Sequence, residues 1–160
     1  MLAVFFEILA VVFGTKGLVV PKILYPEIKF TDSIISQFAT LKKCGIIYRA
    51  LMALCFIFNS VALYFYIGPI GLLILVGLVA LIIDYGSKIH LTTILFTLTL
   101  YGFSSVIYNP WFGLNYLPVL GLIYAIISFR KNKSDSVGIV FLVYSSAALM
   151  LINILVVGKT

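Results

Sequence analysis

Long apolar stretches, interrupted by polar residues at only a few points, predict six helices along this chain. The first covers Leu2–Val20 and stops ahead of Pro21. The second covers Gly45–Tyr66, and Gly68-Pro69 turns the chain tightly into the third, Ile70–Ile83. Asp84-Tyr85-Gly86-Ser87-Lys88 separates that segment from the fourth, Ile89–Val106. Asn109-Pro110 breaks the chain before the fifth, Trp111–Phe129, and Arg130–Ser136 leads into the sixth, Val137–Val157. Apolar runs of this kind are stable in a bilayer because a helix satisfies its backbone polar groups internally. A span takes about 20 residues, so six spans with tight turns consume nearly all of the 160 residues. The expected fold class is all-α: a polytopic bundle of six transmembrane helices forming one integral membrane domain. The first apolar run has no basic segment before it, contains Glu7 and precedes no small-residue cleavage site. It therefore reads as a retained span, not a signal peptide.

The longest connection, Pro21–Cys44, has a pattern of its own. Phe30, Ile34, Phe38 and Leu41 recur at helical spacing, with Asp32, Ser33, Gln37 and Lys42 elsewhere on the wheel. Thr31 suits an N-cap, Asp32 the first turn, and Lys42 and Lys43 the last. These features predict a short amphipathic helix over Thr31–Lys43 on the inner membrane surface, its apolar residues facing the bundle or lipid, either as an interfacial anchor or as a docking surface or gate for a partner.

Composition and charge give the bundle an orientation. The chain is 63% hydrophobic and 10% charged, with mean hydropathy +1.22 and a net charge of +6. Lys22, Lys29, Lys42, Lys43, Lys88, Arg130, Lys131 and Lys133 fall in the connections after the first, third and fifth helices. Six spans put those connections on one side and leave only Lys159 and the terminal amine on the other. The positive-inside rule then predicts a multi-pass protein of the cell membrane, with basic loops cytoplasmic and both termini outside. Tyr66, Tyr108, Trp111 and Tyr116 fall at the outer ends, where amphipathic rings favour the interface, and Tyr25, Tyr48 and Tyr85 at the inner. The lipid bilayer is thus one partner. Nucleic acid is not expected, because no segment offers an exposed basic surface with base-stacking or groove-entering elements.

Few side chains remain for chemistry. Glu7 lies about two turns into the first helix, where an ionised carboxylate is costly unless paired or hydrated. Asn59 and Asn115 fall at similar depth, so these three side chains line one small site if their helices meet; the Asn amides equally suit hydrogen bonds between helices that hold the bundle together. A second group, Asp84, Lys88 and His90, marks the turn into the fourth helix; a carboxylate beside an imidazole suits proton transfer or simple capping of the turn. Neither group contains an activated nucleophile or a usual zinc or haem ligand set, and no catalytic residue, metal or cofactor is assigned. Lys16 is placed to snorkel to the headgroups. Cys44 and Cys55 lie about 16 Å apart along one helix, beyond disulfide reach. Thr93, Thr97 and Ser104 share a face suited to helix packing, as do Gly71, Gly77, Gly113 and Gly121. Pro118 is expected to kink the fifth helix.

Tyr25-Pro26 through Thr31-Asp32-Ser33-Ile34-Ile35-Ser36, the later Phe58-Asn59, and Asp84 followed by His90 resemble the Frag-like six-helix membrane proteins. The resemblance implies a six-helix bundle with the Asp–His turn as a shared feature, and brings no agreed chemistry. Three function classes follow from the residues. A small non-catalytic subunit or scaffold, packed against other membrane protein subunits of a larger complex, best fits the scarcity of polar groups. An intramembrane lipid- or quinone-binding protein or enzyme, and a small-solute or proton transporter, are the alternatives.

Overall fold

The computed structural model describes residues 1–28, 35–83, 88–130 and 136–157. Among them, all regular structure is helical. Helix α1 covers Leu2–Leu24 and α2 Gly45–Ile67; a 3-10 helix, Gly68–Val76, runs directly into α3, Gly77–Ile82. Helix α4 covers Lys88–Tyr108. A 3-10 turn, Gly113–Tyr116, opens α5, Leu117–Arg130, and α6, Ser136–Ile152, ends in a π-helical turn, Asn153–Val157. Three stretches are long and apolar enough to cross a membrane: Leu2–Leu24, Gly45–Ile82 and Gly138–Val156. Thr92–Tyr108 and Gly113–Ile127 are shorter apolar helices.

The second of those long stretches is folded back on itself. Gly68 has φ +79°, a conformation open to glycine without strain, and reverses the chain. Past it, a Cβ on Gly71 would lie 2.4 Å from the Leu63 carbonyl carbon, and one on Gly77 would lie 3.0 Å from the Phe56 ring. The two arms are therefore antiparallel and, at Gly71, in backbone contact. The 3-10 geometry also answers a length problem. At about 2.0 Å per residue for the 3-10 part and 1.5 Å for α3, residues 68–82 extend roughly 27 Å, close to a bilayer core of about 30 Å.

Antiparallel contacts continue around the bundle. Gly14 lies against Cys55 and Gly17 against Met52; His90 meets Ala80; Gly102 faces Pro118; Gly121 and Gly138 bring α5 and α6 together. At this last crossing a Cβ on Gly138 would sit 2.8 Å from the Ala125 nitrogen. Such close approach is how helices associate where lipid removes the hydrophobic drive between them. Gly113, by contrast, has nothing within 4 Å of its Cβ position and packs no helix.

On α1, Ala3, Glu7, Ala10, Gly17 and Pro21 are buried. Together with Gly14 they mark a seam of alternating three- and four-residue steps, the spacing of antiparallel helices packed at a shallow angle. The seam carries α1 through Pro21 instead of ending before it. Pro21 lacks only the bond its own nitrogen would have made, and its carbonyl accepts the closing Tyr25 N–H at 2.9 Å. Pro118 likewise does not kink a helix. It is the second residue of α5, in the first turn, where a missing donor costs little.

In the first connection the expected helix over Thr31–Lys43 is replaced, within the described residues, by a six-residue 3-10 helix, Ile35–Thr40. Phe30 and Ile34 lie outside the described residues. Phe38 faces the bundle: it is 1% exposed and edge-on to Tyr48, with Leu18, Leu41, Met52, Ile139 and Val140 around the pair. A Cβ at Gly45 would lie 2.5 Å from the Ala39 carbonyl oxygen. That tight corner ends the short helix and starts α2, leaving Lys42 and Lys43 exposed.

Candidate functional site

The α1 seam turns Glu7 inward, where it is 1% exposed. Two donors meet its carboxylate there. Asn59 Nδ2 on α2 donates to Oε2 at 3.3 Å, and the Tyr101 hydroxyl on α4 donates to Oε1. An acidic residue at the centre of a span costs about 2.5–3.5 kcal/mol, an upper bound for Glu7 near the start of α1, and charge-assisted hydrogen bonds return about 1.5–3 kcal/mol each. Cys55 lines the same cavity as Glu7. Asn59 Oδ1 has no hydrogen-bond partner among the described residues and is left as a free acceptor beside Glu7.

This three-helix node opens into a cavity of about 170 Å³. Leu18, Tyr48 and His90 line it as well, and each lies eleven positions from the node residue on its own helix: Glu7, Asn59 and Tyr101 respectively. Eleven helical residues rise about 16 Å, so the cavity is long, with the carboxylate at one end. Its wall is otherwise mostly aliphatic, including Val11, Met52, Ile74, Leu98 and Val140. Thr15 and Tyr144 share a 2.7 Å hydrogen bond that joins α1 to α6 along the wall.

His90 is buried at the far end, its Nδ1 2.9 Å from the Ala80 carbonyl oxygen. This contact ties α4 to α3. Asp84 lies outside the described residues, so the sequence pairing of Asp84 with His90 has no described geometry. Thr93, Thr97 and Ser104 are all buried, as their shared face requires; Thr97 and Ser104 bond to backbone carbonyls of their own helix, Thr93 O and Tyr101 O. Lys16 is exposed.

Asn115 does not join Glu7 and Asn59. It sits at the end of the bundle carrying Gly68 and pairs with Asn153: Asn153 Nδ2 donates to Asn115 Oδ1 at 2.8 Å, and Asn115 Nδ2 donates to Asn153 Oδ1 at 3.5 Å and to the Asn109 carbonyl at 2.7 Å. Spacing alone placed Asn115 at a similar depth, but the 3-10 turn before α5 keeps it at the helix end. Tyr101 and Asn153 are the partners that sequence reasoning missed. A signal existed for Tyr101, which follows Thr93 and Thr97 along the polar side of α4. No such signal marked Asn153 within its apolar run. No family model, curated protein or solved structure matches this chain, so function rests on this geometry.

Proposed function

We propose that this chain is a six-span protein of the cell membrane that binds an amphipathic molecule inside its bundle, polar head at Glu7 and apolar tail along the cavity. The six alternating segments, the near-span length of residues 68–82 and the basic connections support six crossings with both termini outside. The observation that carries the binding function is a buried carboxylate at one end of a long apolar cavity. A dry cavity of about 150 Å³ already admits benzene, and this one has a polar anchor besides.

The hydrogen-bond roles define the head group. Asn59 and Tyr101 already spend donors on Glu7, while Asn59 Oδ1 and the remaining carboxylate lone pairs accept. The site therefore favours a head that donates, an alcohol or a protonated amine, over a quinone carbonyl that would need donors. Native mass spectrometry of the gently extracted protein tests this. The expected spectrum shows one bound amphiphile per chain, reduced at least tenfold in Val140→Phe, which fills the cavity; equal occupancy in both proteins would reject the reading.

The subunit reading draws on a different observation. Leu117, Leu120, Ile123, Tyr124 and Ile127 on α5 are exposed and apolar. Lipid covers such a face as well as a protein does, so a stoichiometric membrane partner retained on gentle extraction is what would favour that reading.

A further inference from the structure

We propose that buried hydroxyl and amide groups between Glu7 and the Gly68 end of the bundle hold a short file of ordered waters, through which Glu7 exchanges protons with the aqueous phase at that end. Only the assignment of that end as the outer one rests on the proposed six-span topology.

The groups form a column. One turn beyond Tyr101 on α4 is Ser105, about 6 Å along the axis. Where Gly102 meets Leu142, α4 and α6 lie side by side, and one turn further along α6 comes Ser146. On α2, Ser60 adjoins Asn59, and Tyr66 is two turns on from Asn59. Ser60, Ser105, Ser146 and Tyr66 are all at least nine-tenths buried, and none of their hydroxyls has a hydrogen-bond partner of normal geometry among the described residues. The Tyr66 ring stacks on Tyr108, about one turn beyond Ser105, with centroids 4.2 Å apart. Asn109 follows, partly exposed, just past the end of α4, beside the Asn115–Asn153 pair.

Buried hydroxyls without partners are rare in native interiors, and four of them lie here between the Glu7 node and one end of the bundle. A buried water typically makes about three hydrogen bonds to such groups. The step of about 6 Å along α4 from Tyr101 to Ser105 matches one water bridging two groups, since each hydrogen bond is about 2.8 Å.

The file has one terminus able to hold a proton. Glu7 is faced by Tyr101 from α4 and by Asn59 from α2, and Cys55 of α2 lines the same cavity. The other titratable groups on the cavity wall are Tyr48 on α2, His90 on α4 and Tyr144 on α6. Among the described residues, no Lys, Arg or Asp lines the cavity. A proton entering at the surface water is passed along the file to a Glu7 carboxylate oxygen, each water giving up one proton as it takes another. On the opposite side the cavity wall is mostly aliphatic, and its Thr15, Thr97 and Tyr144 hydroxyls already hold hydrogen bonds.

Infrared difference spectroscopy on the full-length protein in lipid nanodiscs tests the file. The carboxyl band of Glu7, identified by its loss in Glu7→Gln, is followed after a switch from H2O to D2O across the protein's stable pH range. Ser105→Val, which replaces the hydroxyl with methyl groups, should slow the shift of this band at least tenfold, and Ser145→Val, whose hydroxyl already bonds to the Phe141 and Leu142 carbonyls, should leave it at the wild-type rate. Radiolytic hydroxyl labelling, which marks side chains beside ordered water, should label the Tyr66 ring in wild type and lose that label in Ser105→Val. Wild-type exchange in Ser105→Val, equal slowing in Ser145→Val, a missing Glu7 band, or an unlabelled Tyr66 would each overturn the proposal. Amphiphile binding is read separately by mass, so a protein that binds no amphiphile yet shows this exchange pattern rejects only the binding function.

Discussion

Two polar nodes are buried in this bundle, and they are built to different ends. At the Asn115–Asn153 node two amides exchange hydrogen bonds and the spare donor goes to the Asn109 carbonyl. Every strong group there has a partner within the protein, and the node staples the start of α5 to the end of α6. At the Glu7 node the donors converge on a carboxylate from two other helices, an acceptor is left over, and an apolar cavity begins. Closed amide pairs stabilise interfaces; in the proposed reading, a carboxylate with spare acceptors beside open space receives the head of a bound molecule. The lesson is that burial of a polar residue in a membrane protein says little until its unused hydrogen-bonding capacity is counted.

The largest expected separation between the nodes comes from removing one anchor of each. Glu7→Leu should abolish retention of the bound amphiphile, a loss of more than tenfold by native mass spectrometry. Asn115→Leu should leave retention intact and lower thermal stability, because it orphans the buried Asn153 amide at a cost of about 1–3 kcal/mol. Should Asn115→Leu strip the ligand as well, the nodes are one functional unit and the contrast fails.

Glu7→Gln sharpens the head-group assignment. The amide retains an acceptor but not the charge, so an ammonium head should lose more than tenfold in retention and an alcohol head only a few-fold. Tyr101→Phe removes one charge-assisted bond while keeping the ring. It should weaken retention by about 1.5–3 kcal/mol, roughly ten- to a hundredfold, if that bond holds Glu7 in its bound position. Unchanged retention in Tyr101→Phe would mean that the carboxylate holds its place by packing alone.

The smallest effect belongs to the wall. Thr15→Val breaks the Thr15–Tyr144 bond, and hydrogen bonds between membrane helices average about 0.6 kcal/mol. A stability change of that order, with retention unaltered, is expected from chemical denaturation in mixed micelles.

Much of this arrangement could be read from the residues. Helix positions followed from apolar runs and their punctuation, and the turn at Gly68 from the glycine-proline pair. Glu7 and Asn59 were marked by the cost of burying them. What escaped was set by backbone geometry that composition does not encode. A 3-10 segment lengthened the short third element, and another turned Asn115 away from Glu7. Pro21 and Pro118 are compatible with helix in the places they occupy, a last turn and a first one, although each usually signals a break or kink. The spacing that turns Phe38 toward the bundle was legible, but the close approach of Gly45 to Ala39 ends the segment in a short 3-10 helix, Ile35–Thr40. Tyr101 was hidden by its aromatic character, since a tyrosine deep in a span reads first as core.

Photo-crosslinking with a long-chain alcohol carrying a diazirine in mid-tail tests the central claim most directly. The labelled protein, digested and mapped, should carry adducts on cavity residues such as Met52 and Leu98, competed by the unlabelled alcohol and lost in Val140→Phe. Adducts confined to exposed residues such as Leu120 and Val156, unchanged by that substitution, would contradict it.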